Sequence, residues 1–229
     1  ELFRAFDVAD KRAFLWASIA TVIYAVHPVH VESVAWLYAR KEPLLGIFTF
    51  LSFWAFLKGR SGRTVCYLAS LAALALAVLS KPTALVIPAA MILIDLALQA
   101  HKPDSTYWKK RALIFIPMFI LIVPLLARLI LMMSAAGGIK PYHGGSFWTN
   151  LLAVSQICIS YLGLIGFTLI YTADYPITLY TSIHQWQAWA FVALNIVLIA
   201  SALAAYLRGR HIYAVFVAWF YIFILPVAH

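Results

Sequence analysis

The residues best suited to chemistry fall in one run, HPVHVESVAWLYARKEP, from His27 to Pro43. It holds two histidines, a glutamate, a serine, tryptophan and tyrosine rings and an Arg-Lys-Glu cluster, between two long apolar stretches. Pro28 disfavours helix at His27, so the first apolar helix should end there. From Val31 the apolar positions 31, 34, 35 and 38 form one helical stripe, with Glu32, Trp36 and Arg40 on another. The pattern predicts a short amphipathic helix lying on the membrane surface, apolar side down. Glu32 would then serve as a base for a hydroxyl, and the Arg40 guanidinium as a fork for a phosphate. The plainer reading is a capping glutamate and an arginine that snorkels to headgroups. His27 and His30 have the spacing of two metal ligands but lack a third nearby; hydrogen bonding or contact with a phosphate suits them better, and no metal is expected. Lys41 and Glu42 read as a local ion pair.

Further candidates lie along the chain. Arg128 sits inside an apolar segment, where a charge is costly and is usually paired or functional; it would meet a lipid-linked phosphate or turn outward. Lys81 is a cation at the mouth of another segment. Asp95 lies near the basic stretch 102–111 and reads as one half of a structural ion pair. Asp174 precedes Tyr175-Pro176 and is either a catalytic carboxylate or a turn residue. Tyr142 and His143, in a glycine-rich loop, would line a cavity. That loop lacks the GxxxxGK[ST] pattern of a nucleotide-binding loop.

The elements that must position these residues are membrane helices. Of 229 residues, 65% are apolar and 11% charged, whereas a soluble domain is about half apolar and a quarter charged. An integral, multi-pass membrane protein is expected, of all-α class: a polytopic transmembrane helix bundle. Eight apolar segments stand out: Ala13–Val26, Pro43–Leu57, Thr64–Leu79, Thr83–Ala100, Ala112–Met133, Leu151–Tyr171, Trp186–Leu207 and Ile212–Val227. Several reach the roughly 20 residues of a span only with their flanks. Pro117 and Pro124 should kink the fifth. If all eight cross, Lys and Arg divide ten to six between the faces; if the sixth does not, they divide twelve to four, with Arg128 left inside a helix. The sixth also carries Ser155, Gln156 and Ser160. The expectation is therefore about seven spans, one re-entrant or interfacial helix and the short surface helix, with a cytoplasmic N-terminus. The loops 27–42, 80–82, 134–149 and 173–185 would then meet over one outer cavity. The formal charge of +9 is spread over loops rather than gathered in a patch, so no nucleic-acid partner is expected. Cys66 and Cys158, both in apolar runs, give no disulfide framework and no metal spacing.

Two stretches carry a resemblance. AVHPVHVESVAWLYARKEPLLGIFTFLSF, from Ala25, and LSKPTALVIPAAMILIDL, from Leu79, resemble the membrane half of the transmembrane and tetratricopeptide-repeat proteins, which include cadherin-directed O-mannosyltransferases and bacterial relatives. YLGLIGFTLIYTADYPI, from Tyr161, resembles that family more loosely. The resemblance implies a GT-C-like glycosyltransferase fold with a polyprenyl-phosphate sugar as donor and a protein as acceptor on the extracytoplasmic face. It implies that His27, His30, Glu32, Arg40, Lys41 and Lys81 line the site. It also implies that residues 1–229 form a single transmembrane domain, a fragment whose upstream hairpin, with the main catalytic acid, and downstream repeat domain lie elsewhere. Two other classes remain open: a non-catalytic membrane anchor presenting a repeat domain, and a transporter-like permease, although no internal repeat is visible.

Overall fold

The computed structural model describes residues 10–28, 30–60, 62–98, 105–135, 142, 145–166, 179–180, 182, 184–224 and 226. All regular structure among them is helical. The α-helices are α1 (Asp10–Val26), α2 (His30–Ala35), α3 (Lys41–Gly59), α4 (Thr64–Ser80), α5 (Ile87–Ala97), α6 (Ser105–Ala135), α7 (Phe147–Gly166), α8 (Trp186–Leu207) and α9 (His211–Ile224). Short 3-10 turns, Leu37–Arg40 and Pro82–Val86, precede α3 and α5. Arg111–Met132, Phe147–Gly166 and Trp186–Leu207, of 22, 20 and 22 residues, are long and apolar enough to cross a membrane, as an integral membrane protein requires. Many outward side chains are themselves apolar: Val65 is 80% exposed and Leu113 76%.

The chain divides into two compact units, Glu1–Leu129 and Ile130–His229. In the first, α3 and α4 pack as an antiparallel hairpin. Small residues let the helices approach: Ala55, Ala73 and Ala77 are buried in the unit's core with Phe56, Leu74 and Met91. At the middle of the pair Ser52 Oγ donates to Ser70 O and Ser70 Oγ donates to Ser52 O, both at 2.9 Å. Each hydroxyl spends its one proton on the partner helix, which satisfies both in a place without water. At the turn end, Gly59 lies so close to α4 that an added Cβ would stand 3.2 Å from Tyr67 N. Tyr67 in turn donates to Ile114 O of α6 at 2.6 Å, and Phe56 meets Phe115 with ring centroids 5.9 Å apart.

In the second unit Asn195 of α8 is the polar centre. Its Nδ2 donates to Ser155 O of α7 at 2.9 Å and to Phe191 O at 2.7 Å, and its Oδ1 accepts from Tyr221 of α9 at 2.6 Å. Ser146 and Thr149 cap α7 reciprocally: the Ser146 hydroxyl accepts from Thr149 N at 3.2 Å, and Thr149 Oγ1 accepts from Ser146 N at 3.1 Å.

Two expectations are corrected here. The surface helix through residues 31–40 is not continuous. It breaks at Trp36, which is extended (φ −94°, ψ 120°), and a 3-10 turn follows. Pro43 has no N–H to give and its ring crowds the carbonyl four residues back, so it fits only in the first turn of a new helix, here α3. The segment expected over Thr83–Ala100 is a 3-10 turn plus an 11-residue helix, because Pro88 bars the i−4 bond to Ala84. Of the polar residues in the sixth segment, Ser155 and Gln156 are buried: Ser155 O accepts from Asn195 of α8 and Gln156 Oε1 accepts from Tyr180 N at 2.8 Å.

Candidate functional site

Glu42 is the second residue of α3, and Lys81 follows the last residue of α4. Antiparallel packing puts these two helix ends side by side. A carboxylate suits the N-terminal end of α3 and an ammonium the C-terminal end of α4, so both macrodipoles favour the arrangement. Lys81 Nζ reaches Glu42 Oε1 at 2.6 Å, with side chains 26% and 33% exposed. The expected Lys41–Glu42 pair is therefore not formed. Neighbouring helical residues point about 100° apart and do not face each other. Lys41 instead lies over the Tyr38 ring, 4.1 Å from its centroid.

Around this contact the His27–Pro43 run is compact. His30 N donates to His27 O at 3.1 Å, which closes the turn at Pro28. The His30 ring lies 4.2 Å from that of Tyr24, and Tyr24 meets Phe50 of α3 edge-on at 6.0 Å. The two histidine rings stand 6.4 Å apart. Trp36 is exposed and pairs with Tyr38 at 5.6 Å. Arg40 ends the 3-10 turn, is exposed, and has no ion-pair partner among the described residues. Glu32 sits in α2 and its side chain lies outside the described set. Because the chain breaks at Trp36, Glu32, Trp36 and Arg40 do not share one helical stripe.

Arg128 is exposed on α6, 17 residues after Arg111. At 1.5 Å per residue that is about 26 Å along the axis, close to a bilayer's hydrocarbon thickness. With Arg111 at one surface, Arg128 reaches the other without needing a partner inside the span. Tyr142 belongs to the second unit, where it is exposed and meets Phe147 edge-on at 6.4 Å. His143 and Asp174 lie outside the described residues. No group of three or more His, Cys, Asp or Glu side chains close enough to hold a metal ion occurs among the described residues.

The opposite end of the hairpin holds a cluster that the sequence indicates only in part. Asp95 is fully buried near the C-terminal end of α5, where the helix dipole disfavours a carboxylate. Two arginines offset this: Arg60 Nε donates to Oδ1 at 2.6 Å, and Arg111 Nε approaches Oδ2 at 3.0 Å. Arg111 is the partner expected from the basic stretch. Arg60 is not indicated by the sequence; it follows from the hairpin turn that brings the end of α3 to α5. A cavity of about 690 Å³ in the second unit is lined mainly by apolar residues with Ser155, Asn195 and Tyr221, and by no charged side chain, so it offers a phosphate no cation.

Comparison of this chain with family models, curated proteins and solved structures yields no match.

Proposed function

We propose that this chain is the membrane domain of a GT-C-like glycosyltransferase, which takes a mannose-like sugar from a polyprenyl-phosphate donor and passes it to a protein hydroxyl on the extracytoplasmic face. The observation that carries the reading is the 2.6 Å contact between Glu42 and Lys81. It joins, across 39 positions, the two stretches on which the family resemblance rests. Arg40, Lys41 and Lys81 then form a cationic lip beside His27 and His30. The acceptor oxygen attacks the anomeric carbon, the bond from that carbon to the phosphate oxygen breaks, and polyprenyl phosphate leaves. Cations held at the lip stabilise the charge that develops on the departing phosphate, with Arg40 supplying the fork. A carboxylate takes the acceptor proton; Glu32, Asp174 or an acid outside residues 1–229 would serve. With a cytoplasmic N-terminus, charge bias favours seven crossings, and the 20-residue length of α7 favours eight.

A second reading, a membrane anchor without catalysis, is favoured by one observation: Lys81 and Lys41 are engaged by Glu42 and Tyr38. Donor binding separates the two. The full chain in detergent should bind polyprenyl-phosphate mannose, and Arg40→Ala and Lys81→Met should each weaken it about tenfold, the scale of one charge-assisted hydrogen bond. No donor binding by the wild type would favour the anchor, and binding unchanged in both variants would overturn the roles of Arg40 and Lys81.

A further inference from the structure

The turn end of the α3–α4 hairpin holds a cavity of about 170 Å³ that the proposed reaction does not use. Phe56 and Tyr67 form its floor, and Arg60, Gly62, Arg63 and Thr64 its rim. Arg60 gives only its Nε to Asp95. That bond fixes the guanidinium, while its two terminal nitrogens have no partner among the described residues. Arg63 is exposed and its side chain also has no partner there. Arg63 is the N-cap of α4 and makes no side-chain cap, so the first turn of a 17-residue helix presents its N–H groups uncapped at the same mouth. Gly62 adopts φ +88° with nothing within 4 Å of where a Cβ would be, which keeps the mouth open. Asp95 is the one carboxylate described in this cluster, and it is outnumbered by Arg60, Arg63 and Arg111. Lys58 adds a further cation, held 4.3 Å over the Trp54 ring.

We propose that this cavity binds the phosphate of an anionic phospholipid headgroup. Two fixed or free guanidinium groups and a helix N-terminus recognise a phosphate through charge-assisted hydrogen bonds. The surroundings select a lipid over a free ion. Val65 and Leu68, within the first five residues of α4, and Leu113 beside Ile114 are exposed and apolar, so acyl chains have a surface to follow away from the headgroup. Basic pockets between helices at a membrane surface take such headgroups. The site lies at the end of the hairpin opposite Glu42 and Lys81, shares no residue with the donor site proposed above, and stands or falls independently of it.

The test uses the full 229-residue chain purified in dodecyl maltoside, titrated with phosphatidylglycerol, phosphatidylcholine or sodium phosphate, with bound lipid read by native mass spectrometry and thermal unfolding. Arg63→Gln breaks no contact described here and should fold normally. Phosphatidylglycerol should bind the wild type and raise its unfolding temperature, phosphatidylcholine should bind far more weakly, Arg63→Gln should bind phosphatidylglycerol about tenfold more weakly, and the exposed control Arg210→Gln should bind as the wild type does. Equal binding by the wild type and Arg63→Gln, or equal weakening by Arg63→Gln and Arg210→Gln, overturns the site. Phosphatidylcholine bound as tightly as phosphatidylglycerol overturns the requirement for net negative charge. Sodium phosphate that protects as well as phosphatidylglycerol overturns the lipid assignment.

Discussion

Asp95→Asn tests whether the ion cluster holds the first unit together. The substitution keeps the shape of the side chain and removes its charge. It leaves Arg60 and Arg111, with side chains 20% and 16% exposed, facing an amide that can accept from one of them but not from both. Breaking a buried charge pair by removing one member costs about 3–5 kcal/mol. Arg60 caps the end of α3 and Arg111 lies in the second turn of α6; both long side chains can swing partly toward solvent, which brings the expected loss to about 3 kcal/mol. At the ~2–4 °C per kcal/mol of a chain this long, unfolding should come roughly 6–12 °C earlier. The assay is thermal unfolding in detergent, repeated for Arg60→Met and for the double variant. Because the two residues touch, the double variant should lose clearly less than the sum of the single losses. Because the carboxylate is buried, added salt should alter the wild type little. A loss below about 1 kcal/mol for Asp95→Asn, or strict additivity with Arg60→Met, would refute the cluster's structural role.

Two more outcomes follow from close packing. Gly59→Ala would put a Cβ 3.2 Å from Tyr67 N and 3.3 Å from its Cα; backbone cannot yield as a side-chain tip can, so the hairpin should lose about 1–3 kcal/mol, measured as an earlier unfolding transition, whereas Gly62→Ala, limited by its φ alone, should leave the Gly59–Tyr67 contact intact. Asn195→Ala removes the acceptor of Tyr221 and the donor to Ser155 O; a loss of about 1–2 kcal/mol is expected, and Tyr221→Phe in the same background should cost little more, because its hydroxyl has already lost its partner.

The parts of this structure that depend on local chain chemistry are legible from the residues alone. Pro28 fixes the end of α1 at Val26, and the isolation of Asp95 in an apolar run points to an ion pair with the basic stretch that contains Arg111. The parts that depend on which helix lies beside which are not. Lys41 and Glu42 look paired because they are adjacent, yet helical geometry turns them apart, and the true partner, Lys81, is visible only once α3 and α4 are folded together. Arg60 is hidden for the same reason. One signal is present in the sequence: Ser52 stands eight residues before Arg60 and Ser70 seven after Arg63, so a hydroxyl in each apolar run lies at similar depth on either side of one turn. The stripe of Glu32, Trp36 and Arg40 fails because periodicity takes no account of Pro43 downstream.

The hairpin also works as a gauge. Its charges gather at its two ends, Lys41, Glu42 and Lys81 at one and Lys58, Arg60 and Arg63 at the other, where Arg60 meets Asp95 of α5; Glu42 and Arg60 stand about 27 Å apart at helical rise. A hydrocarbon layer of about 30 Å exceeds that interval by a few ångströms. Were the hairpin to cross a bilayer, the lipid would thin locally or the flanking charged side chains would snorkel outward, at a fraction of a kcal/mol for each ångström, since tilting would only shorten its reach. In that case thinner membranes would be the better match, and lipid chain length would become a dial on the hairpin's stability.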